Sequence, residues 1–329
     1  MLVIGTLLLY AALLGIAGDR WLTHAAWVTR SPRIALYVWH ACAITFLATM
    51  ACALLLTAHD VWEHAVVWLF HADKPQVHAL YGGSWYADEI TNAATLLLIA
   101  AVVTMTVLAT RRMRLSRREQ TRHRMLTDTL ASYGPGPLYR VRILEDPVPA
   151  AFCIPGSRKS ARIVLTRGAL TLLSAEQVSA TVAHEQAHLR FRHHSMIVLA
   201  DVVTAAAGWS GILRNYSTQV RRLAEMAADD HAAVGHGHRT LATALLEMCT
   251  VSGNAHGDVL PAMTGADPAE RIRRLIAGKT SPTGRVLPAL AVSAVAALLA
   301  VPAAVCLAPA ATIADTAHCP PRCDAAPKS

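Results

Sequence analysis

The sequence predicts an α-helical multi-pass membrane protein with an α+β domain inserted between its third and fourth spans. Three observations carry this. The chain is 54% hydrophobic and only 16% charged, with a mean hydropathy of +0.36, which is too apolar for an ordinary soluble domain. Four apolar runs are long enough, or nearly so, to cross a bilayer. Between the third and fourth runs lies a more polar stretch, residues 111–285, that alternates short strand-like segments with helical periodicity.

The first run, residues 2–17, opens with no positive n-region and so is not a signal peptide; its length is close to the ~17-residue minimum for a span. Residues 34–58 and 90–110 follow as the second and third spans, and residues 286–307, with Pro288 and Pro302, form the fourth. Arg20, Arg30 and Arg33 lie in the first loop, whereas the second, residues 59–89, has only Lys74. Directly after the third span come Arg111, Arg112, Arg114, Arg117, Arg118, Arg122 and Arg124. The basic residues orient the chain in a cell membrane with the N-terminus and the C-terminal tail (308–329) extracytoplasmic and the 111–285 domain cytoplasmic.

Within that domain, residues 141–144, 151–154 and 162–166 read as strands, with Pro155-Gly156 as a turn and residues 133–137 as a loop. Ser174-Ala-Glu-Gln177 reads as a capping box that starts a helix. Val178, Val182, Glu185 and Leu189 recur at helical spacing, so His184-Glu-Gln-Ala-His188 falls mid-helix. Two histidines four apart share one helix face and can grip one Zn²⁺, with Glu185 beside them to take a proton from water. The bland alternative is a helix rich in His by chance, in a chain with 16 His. A zinc peptidase needs a third ligand, and Arg222-Leu-Ala-Glu225-Met-Ala-Ala-Asp229 offers Glu225, with Asp229 one turn on to orient an imidazole. For these two the alternative is a solvated acidic face.

The apolar run 196–213 resembles a fifth span but does not cross: Glu225 must meet His184 and His188 on one side of the membrane, and Asp201 disfavours lipid. Asp267-Pro268 starts a short basic helix before the fourth span. The second loop carries His59, Asp60, Glu63, His64, His71 and His78, and reads either as a metal-sensing segment or as an interfacial helix with Trp62, Trp68 and Trp85. His236 and His238 read as loop residues. Of the 7 Cys, only Cys319 and Cys323 are close enough for a disulfide, if the tail meets an oxidising compartment. The net charge of +8 and pI near 9.4 could suggest nucleic acid. The basic residues instead flank apolar runs, and no phosphate loop or basic-aromatic patch occurs, which excludes that class.

Ala151-Phe-Cys-Ile-Pro-Gly156, Arg162-Ile-Val-Leu-Thr166, His184-Glu-Gln-Ala-His188, Glu225-Met-Ala-Ala-Asp229 and Pro268-Ala-Glu-Arg-Ile272 together resemble the membrane zinc metallopeptidases of the BlaR/MecR antirepressor type, relatives of the heat-shock membrane protease and CAAX prenyl protease families. The resemblance implies a zincin-like (gluzincin) domain with His184, His188 and Glu225 as zinc ligands and Glu185 as the base. It implies a protein or peptide substrate, in the signalling members a transcriptional repressor or the protease itself. The chain departs from that family in two ways. It has only a short tail where a sensor domain would follow the last span, and His193 or His194 stands where an acidic residue is expected.

The expected function is therefore membrane-anchored, zinc-dependent endopeptidase action in regulatory proteolysis. The alternatives are quality-control proteolysis of membrane proteins and a non-catalytic signal transducer with a structural zinc. The sequence does not identify the residue that stabilises the oxyanion; His231 and Arg271 are candidates.

Overall fold

The computed structural model describes residues 2–58, 67–69, 75, 88–134, 141–157, 160–254, 267–278, 293–305 and 307. The histidines of the second loop, Trp62, Trp85, Cys319, Cys323 and the tail lie outside them.

Among the described residues three helices are long and apolar enough to cross a membrane: Val3–His24, Pro32–Thr57 and Glu89–Leu130. The first runs past its expected end. It comprises α1 (Leu2–Leu13), a π turn (Leu14–Gly18) and α2 (Asp19–His24), and α3 (Ala26–Arg30) follows before α4 (Pro32–Thr57). The expected loop is thus largely helical, because no Pro interrupts the chain before Pro32. Likewise α5 (Asp88–Leu130) continues for 43 residues through the whole arginine run, with no Gly or Pro inside it. Residue 110 therefore lies within a helix. Of the fourth expected span, only an apolar helix, Ser293–Val305, is described.

The chain divides into two compact units: Met1–Ala17, Ala41–Thr104 and Val292–Ser329 form one, Gly18–His40 and Met105–Ala291 the other. In the first, Leu7 packs on Ala53 and Leu56, and the Tyr10 hydroxyl donates to the Leu298 carbonyl at 3.2 Å.

The second unit is built on a four-stranded sheet of order β1-β2-β4-β3, with β1 (Ala131–Tyr133), β2 (Val141–Leu144), β3 (Ala151–Ile154) and β4 (Arg162–Thr166). β1 and β3 pair antiparallel to their neighbours, while β2 and β4 are parallel with Val141 opposite Ile163. β3 is an edge strand. A short helix, α6 (Arg167–Leu172), leaves β4 directly, its first turn capped by the Thr166 hydroxyl. Gly168 is required there: a Cβ at that position would stand 2.1 Å from the Pro147 carbonyl oxygen.

The helix carrying the histidines, α7 (Ala175–Arg190), begins at the expected capping box. The Ser174 hydroxyl accepts from Gln177 N at 3.3 Å, and Gln177 Oε1 accepts from Ser174 N at 2.7 Å. Val178 and Val182 of α7 press on Val141, Ile163 and Leu165 of the sheet, together with Ala244 and Met248 of α10 (His238–Asn254). Between α7 and α10 run α8 (His193–Ala207) and α9 (Gly211–His236). The apolar run 196–213 is cut by a turn at Gly208, and Ser210 caps α9 by accepting from Leu213 N. α8 is 15 residues, short of a span, and its Asp201 bonds Ser217 and Arg221. His236 ends α9 and His238 begins α10, so both are helix termini rather than loop residues. Gly237 makes the joint with φ of 85°, a backbone that favours glycine. The last helix of the unit, α11 (Pro268–Ile276), is capped by Asp267 as expected.

Candidate metal centre

The approach of α9 to α7 is set by small side chains. Ala180 of α7 meets Ala232 and Ala233 of α9, and all three are buried. Alanine contacts let two helix axes come closer than leucine contacts do. That brings Glu225 of α9 up to the His184 and His188 face of α7.

The Nε2 atoms of His184 and His188 are 3.2 Å apart. Glu225 Oε2 lies 3.5 Å from His184 Nε2, and Oε1 lies 3.5 Å from His188 Nε2. A tetrahedral ion with bonds of about 2.0–2.2 Å holds its ligand atoms roughly 3.3–3.6 Å apart. The two 3.5 Å approaches are made by different oxygens of one carboxylate, so Glu225 faces both imidazoles, and the three residues form a group able to offer one ligand atom each, all within 4.8 Å of one another. Two imidazoles and a carboxylate also suit a borderline cation of the zinc type.

Behind the triangle stands a buried charge network. His184 Nδ1 approaches Asp229 Oδ1 at 3.0 Å, a close contact rather than an aligned hydrogen bond. Arg271 of α11 donates to both Asp229 oxygens, at 2.8 and 2.7 Å, and its third nitrogen lies 2.9 Å from Glu225 Oε2. Each guanidinium nitrogen thus faces a carboxylate, so Arg271 is a clamp on Asp229 and Glu225, and it also lines the cavity at the site. His231 stacks edge-on against Phe191, ring centroids 5.2 Å apart, and is not among the residues lining the cavity at the site.

Charge states follow from this packing. Burial disfavours charge on both Glu225 and His184. For Glu225 the contacts with His184 and Arg271 win, lowering it to about 2. For His184 the contacts with Asp229 and Glu225 win, raising it to about 10. Burial and the neighbouring His184 charge lower His188 to about 3. Burial lifts the Glu185 carboxyl above its usual range, with the Glu225 charge adding and His184, Cys153 and Arg271 opposing. A carboxyl so displaced is better matched to taking and giving a proton near neutral pH.

Glu185 lines a cavity of about 40 Å³ with Ala151, Thr181, His184, Glu225, Arg271 and the apolar Leu241, Leu245 and Met248. That is room for water beside the carboxylate. The cavity reaches edge strand β3 at Ala151, and Cys153 of the same strand interacts with Glu185.

His193 was legible in the sequence only as a departure from the antirepressor pattern. Its Nδ1 lies 3.1 Å from His188 Nδ1. His194 points elsewhere, its Nε2 2.8 Å from the Ser116 hydroxyl and 2.7 Å from Gln120 Nε2 on α5.

Residues 115–277 match the model of Peptidase family M48, a stretch that contains the whole triangle and its clamp. The chain is 32% identical over 88 residues to the protease HtpX homolog of Campylobacter hominis, covering 27% of this chain and 30% of that protein. It is 35% identical over 79 residues to the homolog of Caldanaerobacter subterraneus subsp. tengcongensis, covering 24% and 25%. It is 30% identical over 83 residues to that of Levilactobacillus brevis, covering 25% and 28%. The matched stretches span less than a third of these relatives' length. The stretch that carries His184, His188 and Glu225 is thus similar to Peptidase family M48 and to the protease HtpX homologs, in a chain with three helices long and apolar enough to cross a membrane among its described residues.

Proposed function

We propose that the protein is a zinc-dependent endopeptidase anchored in the cell membrane, with its peptidase domain, residues 111–285, on the cytoplasmic side. It would cleave cytoplasmic or membrane-proximal protein substrates. The observation that carries this is the convergence of His184, His188 and Glu225, the two Nε2 atoms 3.2 Å apart and each 3.5 Å from one oxygen of the Glu225 carboxylate, with Glu185 on the histidine helix and in the same cavity. His184, His188 and Glu225 would hold the zinc, which supplies polarisation of a peptide carbonyl and of water.

The chain's own residues do the rest. Glu185 takes a proton from the attacking water on its carboxylate and returns it to the leaving amine. Asp229, held by Arg271, keeps His184 oriented so that Nε2 faces the ion. β3, the edge strand of the sheet among the described residues, can pair with an extended substrate backbone and lay it along the cavity. Regulatory cleavage of a repressor, or self-processing, is the finer reading that the antirepressor resemblance implies. Quality-control proteolysis keeps the chemistry and widens the substrate range.

The test is cleavage of candidate membrane-proximal proteins by the full chain in detergent or vesicles, beside Glu185→Gln. Abolished cleavage with zinc retained in Glu185→Gln supports the mechanism, and persistent cleavage overturns it. A single cut in one substrate indicates regulation, whereas many cuts in many substrates indicate quality control.

A further inference from the structure

The two imidazoles of the triangle are supported unequally. His184 Nδ1 faces the carboxylate of Asp229 at 3.0 Å. His188 Nδ1 faces another imidazole, His193 Nδ1, at 3.1 Å. We propose that His193 is a positioning residue that accepts the Nδ1–H of His188 on its own Nδ1 and so fixes the tautomer whose Nε2 lone pair faces the ion. The proposal rests on the metal reading above.

The chemistry leaves little choice. A neutral imidazole carries one N–H and one lone pair. If Nε2 of His188 turns its lone pair to a metal, Nδ1 must carry the hydrogen. A buried donor without an acceptor is disfavoured, because it has given up water and gained no partner. His193 Nδ1 stands at hydrogen-bonding distance and can accept only as the tautomer protonated at Nε2.

The chain goes to some length to place that ring. In an uninterrupted helix a residue five positions on would sit about 140° around the axis from His188. Instead α7 ends, and Arg192 adopts φ 55° and ψ 38°, the left-handed conformation that a side chain rarely takes. Among the described residues it is the only non-glycine with positive φ, a backbone that persists only where the surrounding structure holds it. The reversal folds His193, 1% exposed, back onto His188. Phe191 stacks at 5.7 Å from the His193 ring, and the Arg33 guanidinium caps Phe191 at 4.4 Å. The ring is therefore held from behind as well as from the side.

Zinc affinity of the full chain in detergent, measured by competition with a chelator, tests this on wild type, His188→Ala, His193→Asn, His193→Gln and His193→Leu. Asn places its carbonyl oxygen where Nδ1 stands, whereas Gln places its end group where Nε2 stands. We expect His193→Asn to bind within a few-fold of wild type, and His193→Gln and His193→Leu to bind about 10–100-fold more weakly. Wild-type affinity in the Gln or Leu variant, or an Asn variant as weak as Leu, would overturn the assignment. Should the Leu variant not fold, the Asn and Gln pair decides. A wild type that takes up no zinc, or a His188→Ala protein that binds as well, brings down the metal reading itself, a result distinct from failure of the His193 role alone.

Discussion

Arg271 and Asp229 are joined by two hydrogen bonds of 2.8 and 2.7 Å between buried side chains, and the same guanidinium neutralises Glu225. One cation from α11 therefore holds two carboxylates of α9 that sit one turn apart. Arg271→Ala would leave both buried with His184 as their remaining cationic neighbour, and breaking such a buried pair costs about 3–5 kcal/mol of stability. Arg271→Lys keeps the charge and loses the fork, so it should fall between Ala and wild type. Denaturation midpoints for the three proteins give the order, and zinc affinity should follow it because Glu225 loses its support.

The neighbouring pair titrates in the opposite sense. Burial pushes the Asp230 carboxyl up to about 6 in spite of Arg274, whose Nη2 is 2.7 Å away. A folded-state value above the unfolded one of about 3.9 means that the folded protein binds this proton more tightly. The contribution is fully present below about pH 4 and is lost as pH rises through about 6. Asp230→Asn should remove that component. Unfolding of wild type and variant followed between pH 4 and 8 should show the wild-type curve declining across the window relative to the variant. Parallel curves would contradict the burial argument.

Ala180→Leu tests the small-residue contact that sets the spacing of α7 and α9. Overpacking such a site costs about 1–3 kcal/mol. Because the wedge lies between the helices that carry the ligands, zinc affinity should drop by more than the stability loss alone would bring. Leu165→Ala is the control. It removes a buried side chain from the sheet-facing core at about 2–5 kcal/mol but leaves the ligand helices in register.

Much of the site could be read locally. The capping box at Ser174, the face shared by His184 and His188 and the Asp267-Pro268 helix start are short-range patterns, and the structure has all three. Glu225 and Asp229 were found through their four-residue spacing. What local patterns could not carry was long-range. Residues 18–40 belong to the unit that holds the candidate metal centre, through Asn215 donating to Asp19 at 3.0 Å and Arg274 donating to the Thr29 carbonyl at 2.7 Å. Nothing in a loop-like stretch announces such partners. β1 escaped notice because Ala131-Ser-Tyr133 has no apolar alternation and is a strand only by pairing with β2. The His193 contact depends on a left-handed arginine, a conformation that residue type argues against.

Zinc content of the purified full chain, read together with self-cleavage in wild type, Glu185→Gln and Glu225→Ala, tests the central claim most directly. The account predicts one zinc per chain in wild type and in Glu185→Gln, loss of zinc in Glu225→Ala, and fragments from wild type alone. Zinc held equally well by Glu225→Ala, or fragments from Glu185→Gln, would contradict it.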